Sequence, residues 1–251
     1  MIVVTGASCP MGVALVADLL DSSREVLAVY NSHPEDLEAL AGEYEGLECC
    51  RADLRSERGV RSVTDRVGPE RSVTGIVHFA GLLDLGVIEE FSYARWREVF
   101  SVNVDSFVML VHRLADRLAR GASVVAICST DAWFGSPASI AYAASKAALI
   151  STTKSLAVAL GPRDVRVNAL SPGHIAGGTS TLPVEDAARL RALRRRGTAS
   201  DVARSALFLL GDSSEYLTGS HLVVDGGASV VEAVARNDWI TVSGRDPLDD
   251  A

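Results

Sequence analysis

The chain has 251 residues, 48% hydrophobic and 22% charged, enough apolar material for the core of one α/β domain. Its net charge of −8 argues against a nucleic-acid footprint, which would be a basic stripe. No apolar run approaches the roughly 20 residues that span a bilayer. Short apolar runs then alternate with amphipathic stretches. Strand Ile2–Val4 is followed by helix Met11–Leu20, Val26–Tyr30 by Pro34–Ala41, and Leu47–Cys50 by Glu57–Val67. Gly75–Phe79 is followed by Tyr93–Leu118, Ser123–Cys128 by Ile140–Leu160, and Val165–Ala169 by Ser200–Leu210; His221–Val224 closes the series. This alternation predicts an α/β fold with a mostly parallel sheet and helices on both faces, in one domain over residues 1–251.

Three further readings concern the surroundings. Cys9, Cys49, Cys50 and Cys128 lack metal spacing and read as buried thiols in a reducing compartment, so no metal site is expected. The N-terminal MIVVTGAS turns polar too soon for a secretory signal, and the expected location is cytoplasmic. Arg194-Arg195-Arg196 reads as a solvated helix end.

Parallel sheets bind ligands outside the carboxyl ends of their strands. Four segments therefore stand out. TGASCPMG, Thr5 to Gly12, joins the first strand to the first helix. A pyrophosphate there would meet backbone N–H groups and a positive helix end; a tight turn without ligand is the other reading. In RADL, Asp53 is either an acceptor for an adenine amino group or a helix N-cap. In HFAG, Ala80-Gly81 would let a flat ligand approach the backbone. His78 reads as a satisfied structural histidine rather than a catalyst.

The fourth segment carries the chemistry. Ser129 ends the fifth strand, and Tyr142 and Lys146 lie at i and i+4 on one helix face. Reduction of a carbonyl needs a proton at oxygen, which a phenol can deliver if its pKa is lowered. A nearby ammonium does that lowering. Only two lysines occur against 22 arginines, and Lys154 reads as a surface residue. At position 146 a compact, rotatable donor is wanted that arginine's planar fork would not replace.

Together these positions resemble the short-chain dehydrogenase/reductase superfamily, over the chain to about Gly227. The family's TGxxxGxG is matched by TGASCPMG, its NNAG by HFAG, and its YxxxK by Tyr142 to Lys146. Asp53 matches its adenine-site aspartate, Asn103 its helix asparagine, and Ser129 its serine. NxxSPG, Asn168 to Gly173, and the closing YLTGSHLVVDGG also match.

The resemblance implies a single Rossmann-like domain with a doubly wound seven-stranded parallel sheet. It further implies an NAD(P)-dependent oxidoreductase interconverting a carbonyl and an alcohol, acting as a reductase; the bias of arginine over lysine suggests a biosynthetic pathway as its home. Tyr142 would be the proton donor, Lys146 would lower its pKa and hold the nicotinamide ribose, and Ser129 would bond the substrate oxygen. Asn103 would hold, through its backbone, a water of the proton relay. The nucleotide would lie along Gly6, Ser8, Met11, Gly12, Tyr30, Asn31, Ser32, Asp53, Leu54, Ala80 and Gly81. Pro172, Gly173 and Ile175 would flank the nicotinamide. A homotetramer or homodimer is implied, paired through the Tyr93–Leu118 and Ile140–Leu160 helices.

Departures from the pattern carry expectations of their own. Pro10 replaces the middle glycine and predicts an intact but tightened loop starting a helix. Phe79 reads either as closing over the adenosine side of the pocket, in partial contact, or as simply filling core. The second strand ends Tyr30-Asn31-Ser32-His33 with no carboxylate to bind a ribose 2′-OH, which favours NADP(H) over NAD(H), with Asn31 and Ser32 as neutral donors.

The segment after Gly173 predicts a small lid hinged at Gly177-Gly178 and carrying Thr179, Ser180 and Leu182. Trp133 and Phe134 are expected at the pocket rim. With no basic cluster among them, the substrate is read as an apolar or mixed carbonyl compound. In the tail from Ala228, VVEAVARNDWITV reads as amphipathic, Trp239 as a packing anchor, and DPLDDA as disordered. A non-redox relative using the tyrosine for dehalogenation-like work and a nucleotide-sensing protein without turnover remain as alternatives.

Overall fold

The structure is a computed structural model that describes residues 1–177, 191–231, 233–244, 246 and 248. In chain order its main elements are β1 (Ile2–Thr5), α1 (Pro10–Asp21), β2 (Val26–Tyr30), α2 (Glu35–Glu43) and β3 (Leu47–Arg51). Then come α3 (Glu57–Val67), β4 (Val73–His78), α4 (Tyr93–Phe100), α5 (Ser106–Leu114) and β5 (Leu118–Ile127). The rest are α6 (Ile140–Leu160), β6 (Arg166–Pro172), α7 (Ala199–Leu210), β7 (His221–Val224) and α8 (Ala233–Ser243). All seven expected strands form one parallel sheet in the order β3-β2-β1-β4-β5-β6-β7.

Alternation along each strand divides the apolar side chains between two faces. Val3, Leu27, Val29 and Ile76 pack on one side with α3, α5 and α6 residues such as Val63, Phe107 and Leu149. Ile2, Val4, Val26 and Val77 pack on the other with Leu15 and Leu19 of α1, Leu37 of α2 and Val202 of α7. Strands buried on both faces explain why they read as continuous apolar runs. The strand order reverses between β1 and β4, and this opens a crevice at their carboxyl ends.

The expected Tyr93–Leu118 helix is instead two helices joined by a π-helical turn, Ser101–Asp105, and the chain enters β5 at Leu118. Tertiary hydrogen bonds from Asn103 hold the wide turn, a cause that helical periodicity does not reveal. The tail also differs from expectation. It forms α8; of the stretch that read as disordered, Asp246 pairs with Arg236 and Leu248 is only 8% exposed, while the rest lies outside the described residues. Trp239 stays half exposed, which is not how a packing anchor sits. No helix among the described residues is long and apolar enough to cross a membrane.

Candidate active site

The β1–α1 turn is shaped by two glycines. Gly6 has φ +63°, and a Cβ there would fall 2.5 Å from the Ala80 nitrogen. A Cβ on Gly12 would fall 2.7 Å from the Ala7 carbonyl oxygen, so this glycine lets α1 press on the turn. Pro10 occupies the first turn of α1 as expected, where its missing N–H costs nothing. The N-cap is Cys9, whose Sγ accepts from the Gly12 amide at 3.3 Å.

Around this turn the crevice widens into a groove of about 550 Å³, within the range of pockets that hold drug-sized ligands. Gly6, Ser8, Tyr30, Asn31, Ser32, Asp53, Leu54, Ala80 and Gly81 all line it, as expected. Met11 and Gly12 lie in the first turn of α1 instead, and Pro172, Gly173 and Ile175 stand at the end of β6; none of these five lines the groove. Ile175 packs into the core beside α7, 7% exposed. Sequence reasoning missed Cys9, Val29, Ala52, Arg55, Leu82, Glu98 and Val102 as lining residues. Arg55 and Glu98 are 43 positions apart and carry no local signal.

Asp53 is not the helix cap. Ser56 caps α3 by accepting from the Gly59 amide at 3.2 Å. Both Asp53 oxygens accept from Arg55, whose guanidinium also donates to Glu98 at 2.8 Å. The Arg55 hydrogen bond lowers the Asp53 pKa, against a smaller opposing effect of burial. Phe79 is 8% exposed; it packs in the core and also lines the groove, so the two readings were not exclusive. His78 is fully buried, bonded through Nδ1 to Thr5 Oγ1 at 2.8 Å and tilted against Phe107 at 5.3 Å. Burial, helped by the Lys146 charge, lowers its pKa to about 3. It is a neutral structural histidine.

α6 is rich in alanine and free of glycine and proline until Gly161-Pro162, so it runs unbroken for 21 residues. It carries Tyr142 and Lys146 against the turn after β5. Lys146 is 3% exposed, donates to the Ile127 carbonyl at 2.8 Å, and lies 5.5 Å from the centre of the Tyr142 ring. Burial lowers its pKa to about 8, with the Cys128 and Cys9 thiols opposing. A Cβ on Gly81 would come within 3.3 Å of the Lys146 nitrogen, a contact that the ammonium would have to shift slightly to relieve. Lys154 is exposed, as its surface reading implied.

Asn103, fully buried, accepts from the Leu82 amide at 2.7 Å and donates to the Leu82 carbonyl and to Ser145 Oγ. Ser145 in turn donates to the Tyr142 carbonyl. The side chain of Asn103 thus fastens the loop after β4 to α6.

The expected acidification of Tyr142 is not found. Burial pushes the phenol up to about 12, and a Ser129 contact pulls the other way without overcoming it.

Trp133 packs edge-on against His221 and tilted against Phe134, and both aromatics are partly exposed; neither lines the groove. Gly177 has φ +78° beside Pro10, and Gly178, Thr179, Ser180 and Leu182 lie outside the described residues. The arginine run lies in a turn before α7, where Arg194 has φ +52° and Arg195 pairs with Asp201 at 2.6 Å; residues 178–190, which precede it, lie outside the described residues. Arg191, 3% exposed, and Arg196 keep buried guanidinium nitrogens without hydrogen-bond partners among the described residues. Burial and then the Arg191 charge lower the His174 pKa.

A family model described as Enoyl-(Acyl carrier protein) reductase matches residues 6–229. The chain is 31% identical over 238 residues to 3-oxoacyl-[acyl-carrier-protein] reductase FabG of Chlamydia pneumoniae, covering 90% of this chain and 95% of that protein. It superposes with a TM-score of 0.84 on the short-chain dehydrogenase/reductase from Serratia marcescens BCRC 10948, at 27% identity, covering 91% of this chain and 97% of the other. The TM-score is also 0.84 against a blue fluorescent protein from a metagenomic library in complex with NADPH, at 26% identity over 90% of this chain and 97% of that one.

Proposed function

The chain belongs to the short-chain dehydrogenase/reductase superfamily and is an oxidoreductase acting on CH–OH groups; from that premise we propose a carbonyl reductase with Ser129, Tyr142 and Lys146 as its catalytic residues and NADP(H) as its preferred cofactor. The observation that carries this reading is the α6 face that sets Tyr142 and Lys146 beside the turn of Ser129, next to the groove.

The groove fits a dinucleotide. Gly6 leaves a cradle that a Cβ would fill, and Gly81 leaves space beside Lys146. When bound, the nicotinamide nucleotide supplies the hydride. Burial keeps the Tyr142 phenol protonated, the form needed to give a proton to a carbonyl oxygen. Ser129 donates to that same oxygen. Lys146, anchored on Ile127, offers its remaining N–H groups to ribose hydroxyls. Asn103 fixes the loop that carries Gly81 and Leu82.

The missing carboxylate at Tyr30 to His33 supports NADP(H), as does the NADPH in the metagenomic neighbour. The reductase name of the Chlamydia relative supports the direction and a biosynthetic setting. Trp133 and Phe134 support a partly apolar carbonyl substrate. The exposed Val108 of α5 and Val158 of α6 support pairing of copies into a dimer or tetramer, and a cytoplasmic location completes the proposal.

The test is Tyr142→Phe assayed on a panel of ketones with NADPH. Turnover should fall by roughly 10²–10⁴ while NADPH fluorescence titration still reports binding. A variant that keeps the wild-type rate refutes the proton-donor role. A wild type that binds neither NADPH nor NADH would favour a non-redox relative.

A further inference from the structure

The nucleotide reading leaves one question at the adenosine end of the groove: which group distinguishes a ribose 2′-phosphate from a 2′-hydroxyl. The second strand supplies no cation of its own, only Tyr30, Asn31, Ser32 and His33. Parallel pairing changes this by setting Arg51, the last residue of β3, in register with Tyr30. Two arginines of neighbouring sequence therefore stand near the groove, and their hydrogen bonds separate them.

Arg55 lines the groove but is committed. Its Nε and Nη2 donate to Asp53, and its Nη1 donates to Glu98. Two carboxylates neutralise it, so a dianion would have to displace them. Arg51 makes one hydrogen bond, from Nε to the Asn31 carbonyl at 3.2 Å. That bond holds the base of an otherwise exposed guanidinium at the residue where the groove rim begins. Its two terminal nitrogens have no partner among the described residues, and paired donors of this kind match two oxygens of a phosphate.

The rim beside it is shaped to stay open. His33 has φ +56°, a left-handed turn that reverses the chain directly after Ser32, and Ser8 Oγ donates to the Ser32 carbonyl at 2.8 Å. Glu35 and Asp36 lie in the first turn of α2, where they complement that helix's positive end.

We infer that Arg51, reaching across from β3, is the residue that takes the 2′-phosphate of NADP(H), with Asn31 orienting the guanidinium. This rests on the nucleotide-binding reading above and names the cation that the second strand lacks.

Isothermal titration of the full chain with 2′,5′-ADP and with 5′-AMP tests it, because the two probes differ only at the 2′ position. The wild type should bind 2′,5′-ADP roughly 10- to 100-fold more tightly, the size expected of charge-assisted hydrogen bonds. Arg51→Gln should bring that ratio to within about 3-fold of unity, and Arg51→Lys should keep part of it as a point charge without the fork. A wild-type ratio near one, or an unchanged ratio in Arg51→Gln, overturns the assignment while leaving the nucleotide site standing. Binding of neither probe by the wild type overturns the nucleotide reading itself, and this inference with it.

Discussion

Asn103→Ala removes the side chain that ties the π-helical turn to the loop after β4 and to α6. Three hydrogen bonds go at once: from the Leu82 amide at 2.7 Å, to the Leu82 carbonyl at 3.2 Å, and to Ser145 Oγ at 2.8 Å. Each is worth about 0.5–1.5 kcal/mol net. Asn103 is fully buried, whereas Leu82 is only partly so and water can recover some of its bonding. The sum is about 3 kcal/mol, which for a chain of this size is a fall of roughly 6–12 °C in Tm. Calorimetry measures that fall.

A second readout separates positioning from bulk stability. Leu82 lines the groove, so the KM for nucleotide should rise about 10-fold at a temperature where the variant is fully folded. A variant that melts within about 2 °C of wild type, with unchanged KM, would show that the wide turn is held by something other than this side chain.

Three further outcomes follow from the same geometry. Gly6→Ala combines a left-handed φ with a Cβ 2.5 Å from the Ala80 nitrogen and 2.7 Å from the Phe79 carbonyl carbon. That backbone is fixed by the Phe79 N–H to Thr5 bond at 2.9 Å, so a loss of about 3 kcal/mol or more is expected in urea unfolding; a wild-type midpoint would contradict it. His78 has its folded pKa lowered from 6.5 to about 3. Its stabilising contribution is therefore complete above pH 6.5 and is lost as pH falls toward 3, on the order of 4–5 kcal/mol. His78→Asn should flatten the slope of urea midpoint against pH across that window, and an unchanged slope would assign acid sensitivity elsewhere. Lys146 titrates near 8 and is charged below that value. If its ammonium is what the reaction uses, kcat/KM should decline above pH 8, and Lys146→Arg, which stays charged, should lose that alkaline limb along with most of its rate. A profile flat to pH 9.5 would remove the need for the charge.

Periodicity and punctuation determined the framework. Strands buried on both faces must be apolar throughout, so the central strands could be found as continuous apolar runs, with the less buried β3 and β7 following from the alternation with helices, and Pro10 announced the start of α1 because no other helix position tolerates it so well. The order of the motifs along the chain located the groove, since loops that follow parallel strands have to gather at one edge of the sheet. Partnerships formed across the fold were another matter. Asn103 widens a helix through bonds to residues 21 and 42 positions away, and Arg51 reaches the groove rim only because β3 pairs with β2. Asp53 looked like a cap until Ser56 took that place and Arg55 took the carboxylate. The phenol at 142 shows the limit most clearly. Its spacing from Lys146 suggested an acidified group, but ionisation depends on the solvation lost to every surrounding atom, and burial outweighs a neighbour four residues along the same helix.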